Sequence, residues 1–343
     1  MKPYVNIGMR IHSSNEYGKL RSVVMGRPDH AVIPKGDIYF DRWVKYNPHT
    51  KRPEVGKLPD DVIKQASDDL YAVKDILEDW DIQVYRPEID SHSVTTVTGH
   101  HITTGFNSYL SRDFLLTIGP WAIECPTPFV SKHRETMAYQ TIKQEAIQSG
   151  ARWITAPIPP MGLAECTPVV DGIRLTERYP IFKGSDILKF DDKILYAISS
   201  TSNRTGAKWL QSILGTEYEV VVYDRLNPIH NLDYSIVPIG RDMLLLNVDR
   251  VSGENLPTFL KGYRKIWCHE CTDTPYHRFP MASRWTGMNV LCIDHETVLV
   301  DERQKKLINQ LRNERIAVIE VPLSHCQTFG GGLHRIITDL ERE

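Results

Sequence analysis

One supersecondary unit, a hairpin of two short strands followed by a helix and a third strand, recurs along this sequence of 343 residues. It is clearest at 184–224, where the hairpin GSDILKFDDKILYAIS precedes a helix and the strand YEVVVY. The segment Ser202-Asn203-Arg204 is predicted to cap the start of that helix. A second copy covers 289–322 and contains an amphipathic helix. Because such a unit is too small to bury its apolar faces alone, its recurrence predicts repeats that pack against one another.

Three weaker copies extend the pattern over the rest of the chain. They cover 113–156, 232–267 and a split unit with a strand at Leu20–Met25, a helix at 60–80 and a strand at Ile82–Tyr85. Five copies predict a single closed, pseudo-symmetric α/β domain over 1–343, and an ordinary chain of alternating strands and helices is the alternative. Residues 28–60 fall outside the repeat and are predicted to form an insertion, either a lid or a binding loop.

The composition narrows the function classes. The chain has 41 Lys+Arg against 43 Asp+Glu, so no overall positive field favours nucleic acid or an anionic membrane as a partner. The sequence contains no apolar run of membrane-spanning length and no apolar signal-peptide core at its start, which predicts a soluble cytoplasmic protein. Its six Cys are scattered in a long chain, a pattern typical of reduced thiols rather than of a disulfide framework.

Three carboxylates occupy the same place in three repeats. Asp113, Asp186 and Asp233 each fall at the first predicted strand of a unit. In a ring of such units they would face one central cavity, and several carboxylates together suit a planar guanidinium. The alternative for each Asp alone is a local turn cap or a surface ion pair.

Seven segments, in order and over nearly the whole chain, then carry a resemblance. They are NEYGKLRSVVMGRP at 15–28, SRD at 111–113, PIFKGSDIL at 180–188, LDYSIVP at 232–238, LNVDR at 246–250, MASRWTGMNVL at 281–291 and FGGGLH at 329–334. Together they resemble the arginine amidinotransferase family, in particular the inosamine-phosphate and glycine amidinotransferases. The resemblance implies the pentein fold, a five-bladed α/β propeller with fivefold pseudo-symmetry. It also implies transfer of the amidino group of arginine to an amine through an amidino-cysteine, without a metal or an organic cofactor.

The same resemblance assigns roles to individual residues. Asp113 and Asp233 match guanidinium ligands, and Asp186 matches the residue that orients the catalytic His. Arg250 and Ser283 match positions that bind the amino-acid end of arginine. The glycine-rich turn that presents the nucleophile is matched by Gly330, Gly331, Gly332 and His334.

Two departures from the family pattern concern the reacting groups. The nucleophilic Cys is replaced by Arg335, and a guanidinium, which stays protonated at neutral pH, cannot act as a nucleophile. The position of the family His is Asn231, and His230 lies one residue earlier. In a strand this shift would send the His230 side chain to the opposite face, unless a bulge restores its direction.

The cysteines elsewhere in the chain do not replace the missing nucleophile. Cys292 and Cys326 are interpreted as small buried thiols rather than as substitutes for the catalytic Cys. Cys268 and Cys271, with His277, make only a weak zinc pattern.

These observations predict that the Arg335 guanidinium reaches between Asp113 and Asp233, where the guanidinium of a substrate would lie. The alternative is a rearranged turn from which Arg335 points to solvent. A catalytically impaired protein with a binding role is the first interpretation. The alternative is a divergent active amidinotransferase or guanidino-group hydrolase acting on arginine. A third interpretation is a scaffold that uses the aromatic residues of the insertion, Tyr39, Phe40, Trp43 and Tyr46, as a contact surface. Arginine or another guanidino compound is the expected ligand if the pocket is open, and a protein partner or a homodimer stays open.

Overall fold

The structure, a computed structural model, describes residues 8–46, 54–98, 101–170, 172–273 and 280–343. Within these residues, five three-stranded sheets share one plan, in which the central strand pairs antiparallel with one neighbour and parallel with the other. They are sheet A (Ile337–Arg342, Leu20–Met25, Gln83–Tyr85), sheet B (Leu115–Ile118, Trp121–Glu124, Arg152–Thr155), sheet C (Ile187–Phe190, Lys193–Ala197, Glu219–Tyr223), sheet D (Ile236–Gly240, Met243–Asn247, Arg264–Cys268) and sheet E (Leu291–Cys292, Thr297–Asp301, Ala317–Val321). The five predicted repeats therefore correspond to the five sheets, whereas their closure into a symmetric ring stays a prediction.

Sheet A joins the two ends of the described chain. Its central strand Leu20–Met25 pairs antiparallel with Ile337–Arg342 and parallel with Gln83–Tyr85. Two of these strands were predicted from the sequence, whereas the strand Ile337–Arg342 was not. No local hairpin signal links that strand to its partner, which lies more than 300 residues away in the chain.

Helices cross between the second and third strands of the sheets. The longer ones are Asp60–Asp79, Gln140–Gln148 after the 3₁₀ segment Val130–Tyr139, Arg204–Leu214 and Lys305–Asn313, and a single turn at Thr258–Leu260 serves sheet D. Arg204–Leu214 begins at the predicted cap, where Asn203 Oδ1 accepts from the N–H of Gly206 at 2.8 Å. None of the helices within the described ranges is both long and apolar enough to cross a membrane.

Three two-stranded sheets and a helix lie outside the five sheets. The predicted insertion pairs Val32–Ile33 with Gly56–Lys57 and contains the helix Ile38–Tyr46. Two further two-stranded ribbons, Thr96–Thr98 with His101–Thr103 and Cys166–Val169 with Gly172–Leu175, were not predicted. Tyr39 and Phe40 of the insertion are buried, and the Trp43 ring lies 5.8 Å from that of Phe129. Tyr39 and Phe40 are therefore not available for the aromatic contact surface predicted on the insertion, because their rings are buried. The role of the insertion as a lid or a binding loop stays a prediction.

A one-turn helix precedes the first strand of each sheet in the repeat order. These turns are Ser111–Phe114, Gly184–Asp186, Leu232–Tyr234, Arg284–Met288 and Leu333–Ile336. The prediction that Asp113, Asp186 and Asp233 lie on the first strands is wrong, because each lies in the turn before the strand. In the first two cases the N–H of the next residue, Leu115 or Ile187, bonds back to the first residue of the turn.

Candidate functional site

The turn that carries Arg335 depends on its glycines. Gly330 ends the helix Cys326–Phe329 with a φ of 90°, in the left-handed region that favours glycine. A Cβ on Gly332 would lie 2.7 Å from the carbonyl oxygen of Thr286, so only glycine allows this close approach. Asn289 then fixes the turn, because its Oδ1 accepts from the N–H of Arg335 at 3.0 Å. The sequence thus fixes the direction in which Arg335 leaves the backbone.

The Arg335 side chain is 4% exposed and forms a two-point ion pair with Asp113. Its Nε lies 3.2 Å from Asp113 Oδ1, and its Nη2 lies 2.5 Å from Asp113 Oδ2. Its Nη1 donates to the hydroxyl of Tyr234 and to the carbonyl of Gly330. Asp233 Oδ2 is 3.9 Å from Nε, within ion-pair distance but beyond a hydrogen bond. The structure therefore brings Arg335 to both carboxylates and bonds it to the first.

Charge and burial act on this cluster in opposite directions. Burial alone would raise the pKa of Asp113, but Arg335, Lys183 and Lys132 outweigh it and hold that pKa well below its usual range. Burial, followed by repulsion from Arg335, lowers the pKa of Lys183, whose Nζ lies 4.0 Å from Asp113 Oδ2. Asp113 is therefore negatively charged, and it lies next to two cations, Arg335 and Lys183.

Asp233 is buried and has spare acceptors. Neither carboxylate oxygen has a hydrogen-bond partner within the described part of the chain. Two side-chain nitrogens lie near Oδ2, His334 Nδ1 at 3.7 Å and Arg335 Nε at 3.9 Å. The other nitrogen of His334, Nε2, lies 3.1 Å from Glu16 Oε2. His334 thus connects the cluster around Arg335 to the buried carboxylate of Glu16.

Asp186 has a different environment. Its Oδ2 accepts hydrogen bonds from three hydroxyls at 2.6–2.7 Å, those of Ser199, Thr201 and Ser202. None of these donors is a histidine, so the structure does not place a predicted His base on this oxygen. The chain at the base position forms a turn before Leu232–Tyr234, in which Asn231, and not His230, lines the cavity described next.

A cavity of about 50 Å³, counted as the space open to the centre of a water molecule, lies beside Arg335. Its charged and polar wall is formed by Asp113, Lys132, Lys183, Asn231, Tyr234, Arg250, Ser283 and Arg335. Its apolar wall includes Trp43, Phe106, Phe129 and Phe329. Of the remaining predicted site residues, Gly330 reaches the wall, whereas Asp186, His230, Asp233, Gly331 and His334 do not form part of it.

Arg250 and Ser283 meet at one side of this cavity. Arg250 Nη2 donates to Ser283 Oγ at 3.2 Å, so the two residues that the resemblance assigns to the amino-acid end of arginine are in contact. Burial lowers the pKa of Arg250 to about 10. Lys132, Lys183 and Tyr234 also line the cavity and were not predicted as members of the site. Lys183 lies three residues before Asp186, and Tyr234 lies one residue after Asp233, inside the segments that resemble the family. Their closeness to these two Asp residues was the feature of the sequence that could have identified them.

The thiols are poorly placed for nucleophilic attack. All six are free and buried, and burial raises the pKa values of Cys292 and Cys326 to about 12. Cys268 and Cys271 approach to 3.8 Å between their sulfurs, while His277 lies outside the described residues. The described residues contain no group of three side chains arranged to hold a metal ion.

Among known proteins, the chain is similar in sequence to several amidinotransferases. No family model matches it. Inosamine-phosphate amidinotransferase 1 of Streptomyces glaucescens is 32% identical over 332 residues, which cover 96% of this chain and 95% of that protein. The L-arginine:L-lysine amidinotransferase of Pseudomonas savastanoi pv. phaseolicola is 28% identical, covering 96% of this chain and 94% of that protein.

The solved structures agree with these relatives. The inosamine-phosphate amidinotransferase StrB1 of Streptomyces griseus superposes with a TM-score of 0.89 at 32% identity and covers 97% of both chains. Sequence and structure thus match over almost the full length of both proteins. The chain belongs to the amidinotransferase family and has its mixed α/β pentein fold.

Proposed function

We propose that this protein is a catalytically impaired amidinotransferase homologue, in which Arg335 fills the guanidinium position and the remaining cavity serves a binding role. The observation that carries the proposal is the two-point ion pair of the buried Arg335 guanidinium with Asp113. An arginine substrate would have to displace this intramolecular cation before its own guanidinium met the same carboxylate.

The reacting groups support an impaired site. Amidino transfer through a covalent intermediate needs a group that becomes nucleophilic near neutral pH. Arg335 stands at the position that the family pattern gives to Cys. Although burial opposes its charge, Asp113, Tyr234 and Asp233 raise the pKa of Arg335 further above its usual value. A guanidinium held in this way accepts no proton and attacks no carbon.

The acidic cluster supports the role of Arg335 as an internal counter-ion. Asp113 and Asp233 are 3% and 1% exposed, and buried carboxylates without a cation are costly. Arg335 offers five N–H donors from within the chain and uses its Nε and Nη2 on Asp113. The site is then electrostatically balanced without a bound ligand, which lowers the gain from binding arginine.

The arrangement of the five sheets and the ligand of the site belong to the same proposal. We infer a five-bladed ring of sheets A to E with fivefold pseudo-symmetry in one domain. Arginine or another guanidino compound is the ligand class that the site would take if it were open, because one relative is named as an L-arginine:L-lysine amidinotransferase. The contact of Arg250 with Ser283 favours the second candidate, a divergent active enzyme on arginine, because it keeps an element of the predicted substrate subsite.

The deciding experiment incubates the purified protein with guanidino-labelled arginine and glycine, lysine or hydroxylamine, and measures ornithine and labelled product. We expect neither product above a boiled-protein blank. Ornithine formed at enzyme-like rates, and abolished in Asp186→Asn, would establish the divergent enzyme and reject the impaired one.

A binding measurement tests the role of Arg335 separately. Arginine is expected to leave the melting temperature of the wild type unchanged and to raise that of Arg335→Ala, because only the variant has an unfilled acidic site. Arg264→Ala, which removes an exposed Arg paired with Glu314, is the matched control and should respond like the wild type. A wild type that is itself stabilised by arginine contradicts the proposal.

A further inference from the structure

Two of the four cations in the cavity wall are already used by carboxylates. Arg335 is paired with Asp113 through two hydrogen bonds. Lys132 lies 3.0 Å from Glu135, a buried carboxylate behind the wall. These two pairs account for the carboxylates that lie within hydrogen-bond distance of a wall cation in the described chain.

The other two cations, Lys183 and Arg250, have no such partner. Lys183 is 4% exposed, and its nearest carboxylate oxygen is Asp113 Oδ2 at 4.0 Å, which already accepts from Arg335. Arg250 is 9% exposed; its Nη2 donates to the Ser283 hydroxyl, and its buried Nη1 has no hydrogen-bond partner within the described residues. Buried cationic donors without acceptors are costly, and an anion bound beside one of them would offset that cost.

The rest of the wall defines the other end of a ligand. Trp43, Phe106, Phe129 and Phe329 present aromatic surface to the same cavity. Aromatic walls with a few convergent polar groups are typical of small-molecule sites. The free space of about 50 Å³ suits a compact molecule rather than a long chain.

We propose that this cavity binds a small monocarboxylate with an aromatic or compact apolar body, with its carboxylate at Lys183 and its body against the aromatic wall. Arg250 lies on the same wall as a second donor. The inference rests on the proposed function, because Arg335 must neutralise Asp113 before an anion is accepted beside it. The charge preference is the reverse of that of a site that receives a guanidinium.

Three ligands of one shape and different charge test the proposal on the wild-type protein. Benzoate, benzamide and benzamidine carry a negative charge, no charge and a positive charge, and calorimetric titration gives their affinities. We expect benzoate to bind at least tenfold more tightly than benzamide and benzamidine not to bind. Equal affinities for benzoate and benzamide, or no benzoate binding, overturn the inference while leaving the proposed function standing. Benzamidine as the preferred ligand overturns both.

A lysine variant locates the binding. Lys183→Met should weaken benzoate at least tenfold and leave benzamide unchanged, because it keeps the apolar stem and removes the charge. Lys208→Met, at an exposed lysine of the helix Arg204–Leu214, should bind benzoate as the wild type does. Benzoate affinity that is unaltered in Lys183→Met refutes the assignment. If that variant does not fold, the wild-type comparison of the three ligands still decides the charge preference.

Discussion

Arg335 and Asp113 neutralise each other inside the protein, and this pairing makes the effect of removing either one large. Arg335→Ala leaves Asp113 and Asp233 buried without their shared cation, which should lower the free energy of unfolding by about 3–5 kcal/mol at pH 7. The pKa of Asp113 is depressed in the folded state, so the wild type has this stabilisation above the unfolded pKa of about 4 and loses it as the pH falls further. Urea unfolding of the wild type and of Arg335→Ala measures this difference in free energy.

The pH dependence of the difference separates the charge effect from a cavity effect. In Arg335→Ala the buried Asp113 loses its cation and takes up a proton more readily, so the gap to the wild type should narrow between pH 7 and pH 5. Arg264→Ala removes an exposed pair with Glu314 and should cost less than about 1 kcal/mol. A gap that is constant over this pH range would mean that lost packing, and not the ion pair, accounts for the loss.

Glu135 makes the opposite contribution to the pH profile. Burial raises its pKa from 4.5 to about 7, and the ion pair with Lys132 does not overcome that effect. Because the folded state holds this proton more tightly than the unfolded state, the protein loses stability as the pH rises from about 4.5 through 7. Glu135→Gln should remove that loss, seen as a flatter plot of unfolding free energy against pH. Glu145→Gln, at an exposed position, should keep the wild-type slope.

At the scale of single elements, Asn203 ties the start of a helix to the segment before sheet C. Its Oδ1 accepts from the N–H groups of Gly206 and Ile181, and its Nδ2 donates to the carbonyls of Thr176 and Tyr179. Loss of an N-cap costs about 1 kcal/mol, and each buried group left unpaired adds about 1–3 kcal/mol.

Asn203→Ala should therefore destabilise the protein by more than an ordinary cap, by about 2–4 kcal/mol in urea unfolding. Asn203→Asp keeps the acceptors of the cap but loses both donors, so an intermediate loss is expected. Equal losses in the two variants would contradict the importance of the cap itself, because only Asn203→Ala removes it.

The parts of the fold that could be predicted from the sequence are local hairpins and helix ends. The hairpin of sheet C and the cap at Asn203 were predicted because a polar turn and a capping residue act within a few residues. The strand Ile337–Arg342 was missed because its partner is distant in sequence, so no local signal marks the pairing. The ion pair of Arg335 with Asp113 was inferred because the resemblance brought two distant motifs to one site.

Other parts of the site depended on packing that no motif describes. Lys183 follows an ordinary strand-like pattern, and only the folded chain shows that its amine is buried beside Asp113. The hydroxyl donors around Asp186 come from the loop after sheet C's hairpin and carry no sequence pattern of their own. A family motif therefore located the carboxylates better than it located their partners.

At the scale of the whole molecule, a buried ionic network links segments from both ends and the middle of the chain. Asp339 in sheet A pairs with Arg112 at 2.6 Å, with Lys189 of sheet C at 2.6 Å and with Arg342 at 3.0 Å. Glu16 continues the network, because it pairs with Arg112 at 3.0 Å and lies 3.1 Å from His334. Burial would raise the pKa of Glu16, but Arg112, Lys189 and His334 hold it well below its usual value.

Asp339→Asn tests whether this network holds the sheets together. The substitution keeps the shape of the side chain but leaves Arg112 and Lys189 buried with less counter-charge, so a loss of about 3–5 kcal/mol is expected. Although burial opposes it, Lys189 and Arg112 lower the pKa of Asp339 to about 2, so the stabilisation is present above about pH 4 and fades as the pH falls toward 2. The difference between variant and wild type in urea unfolding should accordingly stay constant from pH 5 to 8 and shrink below pH 4.

Asp191→Asn provides the comparison, because Asp191 bonds Asn15 and Tyr17 at a partly exposed turn of the same hairpin that carries Lys189. Asp191→Asn should lower the free energy of unfolding by no more than about 1 kcal/mol, in line with hydrogen bonds near the surface.

Hydrogen exchange distinguishes a global effect of Asp339→Asn from a local one. If Asp339 links the sheets, Asp339→Asn should speed amide exchange in sheets A and C together, whereas faster exchange confined to Ile337–Arg342 would show that the network stabilises only its own strand.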